Sequence, residues 1–337
     1  MNATPAWLGS VLGTELPGEG DEFALGGRTF VMLRGIPRQV ELVSEAQAQT
    51  ADTFGYKWNQ RATFESEVFR RRARTWLIER YGPVAEAAWW GEYGPDPVVL
   101  DAGCGAGFSA LELLDGRLER IRYLGVDVSS AVDVAAERFE SRGIAAAFMQ
   151  ADMVGLPFDQ PIASVIFSEG ALHHSDSTRT ALLEVGRLLI PGGRFLFYVY
   201  NRKGPVREFT DDYIRDALQG MGQSEAWDAL LPLTKLGRSL GELDVTLDIE
   251  EPIELLGVPA GPISLQRFFY WHVCKTYFDP ELTLDELNHI NFDWFAPTNA
   301  HRQTPEQVRE WCAEAGLEIE RERVEEAGIT IVARRFA

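Results

Sequence analysis

Polar side chains and glycines come together where an apolar run ends, in the segment DAGCGAG at residues 101–107. Glycine has no Cβ, so a loop with glycines at alternate positions can take positive φ and let its backbone come close to a ligand. The helix expected near Phe108 would point its free N–H groups and its positive dipole end at that ligand. This segment therefore predicts a site for a nucleotide-like or carboxylate-bearing cofactor.

The glycine spacing argues against a nicotinamide dinucleotide. In the dinucleotide-binding fingerprint the third glycine falls one place later, where Phe108 stands in this chain. An NAD-dependent oxidoreductase stays open as an alternative, and so does a plain strand-to-helix turn built of small residues.

Three more acidic or polar positions follow apolar runs. Asp127, Asp152 and the pair Ser168-Glu169 each come directly after a predicted strand or within a few residues of its end. The carboxyl ends of parallel strands meet at one edge of a sheet, where ligands of open α/β sheets bind. We therefore expect these side chains to lie near the glycine loop.

The elements that must position these residues alternate between strand and helix from residue 96 to residue 201. This alternation is typical of a parallel sheet covered by helices on both faces. It resumes with a helix from Thr304, and 317–324 with 329–333 predict a closing hairpin that adds an antiparallel strand. The predicted fold class is α/β, with seven strands in one mixed sheet.

Two regions lie outside this alternation. Arg28–Leu33 predicts a short strand, and 35–38 a turn, within a small N-terminal appendage. The aromatic-rich insertion after residue 201 is too long for a bare loop, so we expect a mainly helical cap over the carboxyl ends of the strands. The predicted organisation is an appendage at 1–48, a core at 49–201 plus 303–337, and a cap at 202–302.

Composition and charge narrow the classes of function. The chain has 32 Lys and Arg against 51 Asp and Glu, a formal net charge of −19. Nucleic-acid affinity is largely a cation effect, so we expect no DNA or RNA partner. No apolar run of about eighteen residues and no secretory leader is evident, and the three cysteines are far apart. We expect a cytoplasmic protein with reduced thiols and no membrane partner; the oligomeric state stays open.

Together, the motifs resemble those of one family. LDAGCGAG, GVDVSS, QADMVGLPF, FSEGALHH and RLLIPGGRFLF follow one another between about Pro97 and Tyr200, as in the class I S-adenosylmethionine-dependent methyltransferases. The resemblance implies a Rossmann-like fold and methyl transfer from S-adenosylmethionine to a small molecule such as a metabolite or natural product, with S-adenosylhomocysteine as product. A catalytically lapsed partner protein that only binds the cofactor is an alternative.

The resemblance also implies how the cofactor is held. The backbone of 103–105 would line its amino-acid part, and Asp127 would accept hydrogen bonds from both ribose hydroxyls. Asp152 would accept one from the adenine amino group, and Met153 would pack on the ring. The residues implied for cofactor binding are Asp101, Gly103, Cys104, Gly105, Asp127, Val128, Asp152, Met153, Ser168 and Glu169.

Methyl transfer to a protonated nucleophile needs a base, and His173 and His174 follow the fourth predicted strand at the correct end of the sheet. Buried histidines that only fill space are the other interpretation. The planar fork of Arg207 suits an acidic substrate, unless it pairs with a nearby aspartate. The candidate substrate-binding residues are Tyr56, Trp58, Tyr200, Arg207 and Trp294.

RTFVMLRGIPR at 28–38 is similar to the end of the zinc-ribbon domain that precedes many bacterial methyltransferases. Residues 1–50 contain no cysteine, so no tetrahedral metal site can be built from them and we expect a metal-free remnant. FGYKWN at 54–59 resembles the aromatic segment that such enzymes place over the cofactor pocket; an aromatic anchor in the core is the alternative.

Overall fold

The computed structural model describes residues 5–41 and 44–336. Within these ranges the helices and strands are, in chain order, α1 (Ala6–Leu12), β1 (Glu22–Leu25), β2 (Arg28–Leu33), β3 (Ile36–Gln39), α2 (Glu45–Asn59), α3 (Glu67–Tyr81), β4 (Val98–Ala102), α4 (Phe108–Leu113), β5 (Arg122–Asp127), α5 (Ala131–Ser141), β6 (Ala146–Gln150), β7 (Ala163–Glu169), α6 (Thr178–Gly186), β8 (Leu189–Tyr200), α7 (Pro205–Leu218), α8 (Gln223–Glu242), β9 (Thr246–Ile249), β10 (Gly261–Ser264), α9 (Leu265–His272), α10 (Leu284–Phe295), α11 (Pro305–Glu314), β11 (Leu317–Val324) and β12 (Gly328–Arg335).

One sheet of ten strands has the order β1-β2-β3-β6-β5-β4-β7-β8-β12-β11. Strands β6, β5, β4, β7 and β8 run parallel, and β12 is antiparallel to both β8 and β11. The part from β6 to β11 is the predicted Rossmann-like mixed sheet with its terminal antiparallel hairpin, so the predicted fold class is confirmed. The chain leaves β4 towards β5 on one side and returns to β7 on the other. This reversal of strand order creates the crevice in which such sheets bind ligands.

Apolar side chains cover both faces of the sheet, as a doubly covered parallel sheet requires. Successive residues of a strand point to opposite faces. In β8, Phe197 and Val199 belong to the apolar cluster on one face, and Tyr198 and Tyr200 to the cluster on the other. The two tyrosines therefore lie on one face at the carboxyl end of their strand, where a ligand can reach them.

The three N-terminal strands continue the sheet through β6. Arg38, opposite Gln150 in the β3–β6 pair, donates to both carboxylate oxygens of Asp133 at 3.1 and 2.7 Å, and to Gln150 Oε1 at 2.7 Å. The turn predicted at 35–38 is wrong, because 36–39 is a strand paired with β2. The chain reverses at Arg34-Gly35, whose φ values of 56° and 71° fit a two-residue hairpin loop.

Helices α7–α10 and the hairpin β9–β10 form the cap (residues 202–302), which is mainly helical as predicted. No helix was predicted for 45–59, yet α2 lies there, between the sheet and the cap. Its buried side chains are mostly polar, including Gln47, Thr50 and Thr53, so its sequence shows no apolar stripe. In the described part of the chain no helix is long and apolar enough to cross a membrane.

The attachment of the N-terminal strands can be tested by Arg38→Met. We expect the free energy of unfolding to fall by about 1–2 kcal/mol, because a two-pronged and largely buried ion pair is lost. Arg34→Met is the matched control, since Arg34 touches the same Asp133 at 3.5 Å with its side chain 67% exposed. Its effect should stay under about 0.5 kcal/mol. Urea denaturation measures both, and equal effects would refute the proposed attachment.

Candidate functional site

A cavity of about 490 Å³ opens at the carboxyl ends of β4, β5, β7 and β8, beneath the cap. Its size is ordinary for a small-molecule site. The site residues predicted from sequence that line it are Trp58, Gly103, Asp127, Val128, Met153, Glu169, His174 and Tyr200. The other predicted site residues lie outside this lining: Tyr56, Asp101, Cys104, Gly105, Asp152, Ser168, His173, Arg207 and Trp294.

The glycine loop is needed for close packing against protein atoms. Gly103 has a φ of 84°, and a Cβ on it would lie 2.1 Å from the Cβ of Ala171. Gly105 has a φ of 52°, and its Cβ would lie 2.6 Å from Nε1 of Trp58. The indole of Trp58 therefore packs on the loop and lines the cavity from α2. Cys104 is buried, and burial raises the pKa of its thiol well above the usual value.

Asp127 presents its carboxylate to the cavity from the end of β5. The backbone N–H of Gly105 donates to Oδ2 at 2.8 Å, and the N–H and hydroxyl of Ser129 donate to Oδ1 at 2.8 and 2.6 Å. Burial raises the pKa of Asp127, and these three hydrogen bonds oppose that shift. A carboxylate offers about four acceptor positions, so about one is left for a ligand.

Three other predicted cofactor residues serve the framework. Asp101 accepts a hydrogen bond from the Tyr123 hydroxyl at 2.6 Å, and burial raises the pKa of Asp101 to about 7 despite that bond. Asp152 accepts from the backbone N–H two residues further on at 2.9 Å. Ser168 donates to the carbonyl of Ala102 at 2.7 Å, which ties β7 to β4.

The two histidines differ in position. His174 lines the cavity, whereas His173 is fully buried behind it with its ring 3.7 Å from that of Tyr200. Nδ1 of His174 lies 2.6 Å from the carbonyl of Asn299, so Nδ1 carries the proton and Nε2 is an acceptor. Among the described residues, Nε2 of His174 has no hydrogen-bond partner. Burial lowers the pKa of His174 to about 4 and that of His173 well below its usual value.

Asp293 of α10 joins three elements at the cavity wall. It accepts from Nζ of Lys57 at 2.5 Å and from the Tyr200 hydroxyl at 2.9 Å. Burial alone would raise the pKa of Asp293, but the positive charges nearby, Lys57 first, lower it well below its usual range. The carboxylate therefore stays ionised and holds Lys57 and Tyr200 in place.

Glu169 at the end of β7, like Asp293, accepts hydrogen bonds from a basic side chain and from a tyrosine hydroxyl. Arg80 of α3 donates to one carboxylate oxygen at 2.5 Å and the Tyr81 hydroxyl to the other. The Arg80 guanidinium also lies 4.0 Å from the centre of the Tyr198 ring. Both charges of the Arg80–Glu169 pair are thereby matched within the protein.

The predicted clamp at Arg207 needs correction. Arg207 is 1% exposed, donates to Asp211 at 2.5 Å and to the carbonyl of Tyr270, and does not line the cavity. Trp294 donates to the same Asp211 at 2.8 Å, and the Tyr56 ring packs edge-on against Trp227. Arg207 and Trp294 therefore use their polar atoms inside the cap, and Tyr56 of α2 packs its ring against the cap.

Sequence reasoning missed three basic residues that line the cavity: Arg80, Arg267 and Lys275. A signal was present for Lys275, which stands alone as a charge in the run HVCKTYF. A lone lysine in an apolar, aromatic run is rarely buried without a function or a partner. No cluster of three or more His, Cys, Asp or Glu able to hold a metal occurs in the part of the chain that the structure describes.

Comparison with known proteins agrees with this geometry. Residues 100–197 match a family described as "Methyltransferase domain". An uncharacterised methyltransferase of Mycobacterium tuberculosis is 39% identical over 100 residues, which cover 28% of this chain and 46% of that protein. The methyltransferase YcgJ of Bacillus subtilis is 31% identical over 170 residues, covering 48% and 66%. The chain thus spans about half to two thirds of the length of these relatives.

Among solved structures, a Burkholderia thailandensis 1,6-didemethyltoxoflavin N1-methyltransferase, with its substrate and S-adenosylhomocysteine bound, aligns with a TM-score of 0.45 at 15% identity. The alignment covers 95% of this chain and 100% of that one. The family match identifies residues 100–197 as a methyltransferase domain, and the sheet order around them is that of the Rossmann-like class I methyltransferase fold. The methyltransferase domain contains β4 to β8, and the cap is inserted after β8.

Asp101→Asn tests the buried carboxyl behind the glycine loop. The folded chain keeps the Asp101 proton up to about pH 7, whereas the unfolded chain loses it near pH 4. Stability therefore falls as the pH rises between these values. The variant should lack this fall and gain about 1–3 kcal/mol at pH 8. Urea denaturation between pH 4 and 8 measures the free energy of unfolding of both proteins, with the exposed Asp115→Asn as control. If the free energy of unfolding depends on pH in the same way in wild type and Asp101→Asn, the pKa of Asp101 is not raised.

Proposed function

We propose that this chain transfers the methyl group of S-adenosylmethionine to a small-molecule acceptor bound beneath the cap. The observation that carries the proposal is the Asp127 carboxylate, which faces the cavity at the end of β5 beside the glycine loop. Such a carboxylate is suited to paired hydroxyl groups like those of a ribose. The family match over residues 100–197 supports the same reaction class.

The residues on one side of the cavity fit this cofactor. Gly103 brings backbone to the wall, and Val128, Ala151 and Met153 form an apolar surface beside Asp127. Asp127 has about one free acceptor position, so a second ribose hydroxyl would take the place of the Ser129 hydroxyl. When bound, the cofactor supplies a methyl group on a positively charged sulfur, ready for in-line attack.

The chain's own task is then to place the acceptor and exclude water. The other side of the cavity is aromatic: Trp76, Tyr198, Tyr200, Tyr270, Trp271 and Tyr277 line it. Flat side chains from α3, β8 and the cap enclose a volume suited to a ring system. We infer that the acceptor is a small molecule with an aromatic or otherwise apolar body.

His174 is the residue we assign to proton handling. Its Nδ1–H is fixed by the Asn299 carbonyl, so Nε2 presents a lone pair and is unprotonated at neutral pH. A hydroxyl or amine of the acceptor would donate to Nε2 as it loses its proton. His173 has no access to the cavity, and we assign it a packing role against Tyr200.

The net charge of −19 argues for a metabolite acceptor over a nucleic acid. We also propose a reducing, cytoplasmic location, because Cys104, Cys274 and Cys312 are all buried free thiols.

Asp127→Asn tests the cofactor assignment. Calorimetry should detect binding of S-adenosylhomocysteine to the wild type. In the variant the affinity should fall by about ten- to a hundredfold, because hydrogen bonds to a charged acceptor are replaced by weaker ones. The exposed Asp228→Asn should bind as the wild type does. Binding of NAD in place of S-adenosylhomocysteine would overturn the proposal in favour of an oxidoreductase.

His174→Ala tests the base. Release of S-adenosylhomocysteine during incubation with pooled phenols, amines and aromatic acids gives the turnover. We expect kcat to fall by about 10²–10⁴-fold in His174→Ala, with cofactor affinity kept. His173→Ala is the comparison: it should reduce stability more than it reduces turnover of the folded fraction. If turnover is unchanged in His174→Ala, His174 is not the base. If the wild type binds the cofactor but transfers no methyl group to any acceptor, the chain is a catalytically lapsed protein that only binds the cofactor.

A further inference from the structure

Lys275 is a buried lysine on the cavity wall, with only 6% of its surface exposed. Its Nζ lies 4.9 Å from the centre of the Trp294 ring. No ion pair or side-chain hydrogen bond joins Lys275 to any of the residues described by the structure, in contrast to Lys57 with Asp293. An ammonium group taken out of water without a partner costs free energy, so its retention calls for an explanation.

The segment that carries Lys275 connects α9 to α10 and is anchored by hydrogen bonds to the helices around it. The backbone N–H of Lys275 donates to Asp211 at 3.1 Å, and the carbonyl of Thr276 accepts from Gln266 at 2.6 Å. The backbone N–H of Tyr277 donates to Asn291 at 3.2 Å. Lys275 and Tyr277 line the cavity, whereas Thr276 between them does not. The lysine is therefore held at the wall by its backbone.

The charges inside the cavity do not balance at this position. Lys57 is matched by Asp293, and Arg80 by Glu169. Arg267, the other unmatched cation of the wall, packs on the rings of Tyr270 and Tyr277, and no carboxylate in the described ranges pairs with it.

The remaining carboxylates of the wall do not supply a partner. Glu79 and Glu326 are exposed to solvent, and Glu325 is paired with Arg323 at 2.8 Å. Asp127 lies at the cofactor end, where its oxygens are used by Gly105 and Ser129. Among the described residues of the wall, no carboxylate is thus left over to form an ion pair with Lys275 or with Arg267.

We propose that Lys275 binds a carboxylate of the methyl acceptor, so that the substrates are small aromatic acids. This inference rests on the proposed methyltransferase function and adds the class of substrate to it. The aromatic walls hold the ring, and the ammonium group forms the ion pair that the free protein lacks. A single buried ammonium suits the single charge of a carboxylate better than a phosphate, which carries up to two charges at neutral pH.

The groups around Lys275 make this binding depend on pH. Burial lowers the pKa of Lys275 to about 7, with Asp293 of α10 and Asp211 of α7 opposing the shift and Arg207 of α7 and Lys57 of α2 adding to it. A bound carboxylate stabilises the charged form and raises that pKa. Binding of an acid should therefore take up a proton above about pH 7 and weaken as the pH rises further.

The cofactor also carries a carboxylate, on its methionine part. The test must therefore distinguish binding of the acceptor's carboxylate from binding of the cofactor's carboxylate. Calorimetry on the wild type saturated with S-adenosylhomocysteine compares three acids with their amides: benzoate with benzamide, 4-hydroxybenzoate with 4-hydroxybenzamide, and indole-3-carboxylate with indole-3-carboxamide. At least one acid should bind about tenfold or more tightly than its amide, as expected for a charge-assisted contact. Lys275→Met should abolish that preference, and the exposed Lys235→Met should keep it.

The outcomes are distinct. Lys275→Met should fold and keep its affinity for S-adenosylhomocysteine within about twofold, because it removes an unpaired buried charge and no cofactor contact. A loss of S-adenosylhomocysteine binding in this variant would overturn the proposal, since Lys275 would then serve the cofactor's carboxylate. The absence of any acid-over-amide preference in the wild type would overturn it too, while intact S-adenosylhomocysteine binding would leave the methyltransferase function standing.

Discussion

The carboxylate of Asp293 is the point at which the two halves of the molecule meet. It lies on α10 of the cap and accepts from Lys57 of α2 and from Tyr200 at the end of β8. This one charged group thus links the cap, α2 and the end of β8 at the cavity wall. Without it Lys57, which is 5% exposed, would be a second buried cation with no partner, at a cost of about 3–5 kcal/mol.

The arrangement divides the cavity by charge. Around Asp127 the negative group is supported by backbone N–H donors, which suits a ligand rich in hydroxyl groups. Lys57–Asp293 and Arg80–Glu169 are closed pairs, so they add rigidity and little net field. Lys275 and Arg267, both from the cap, are cations without an ion-pair partner among the described residues, and they lie against aromatic rings. The cavity wall therefore offers a ligand three different electrostatic environments.

The parts of the fold that sequence predicted share a simple physical origin. The parallel strands, the loop at 101–107 and the terminal hairpin follow from apolar runs, glycine positions and short turns, all of which are local. Helix α2 was not predicted because its buried residues are mostly polar. Their hydrogen-bond and ion-pair partners lie far away in the sequence, as Asp293 does for Lys57. Lys275 could not be placed either, since its neighbours Asp211 and Asn291 come from separate helices of the cap. Arg207 pairs with Asp211 four residues further along the same helix, but the sequence does not decide between that partner and a ligand. Long-range pairing decided the cases of α2 and Lys275.

The three N-terminal strands lie at one border of the sheet. An open sheet exposes unpaired N–H and C=O groups on its outermost strands, which can pair with other chains. Strands β1–β3 cover the edge that β6 would otherwise expose, and β1 itself is only four residues long. At the opposite edge β11 carries the charged run ERERV at residues 320–324. Both borders of the ten-stranded sheet are thus unfavourable for strand addition, so the N-terminal strands extend the sheet and also limit its further growth.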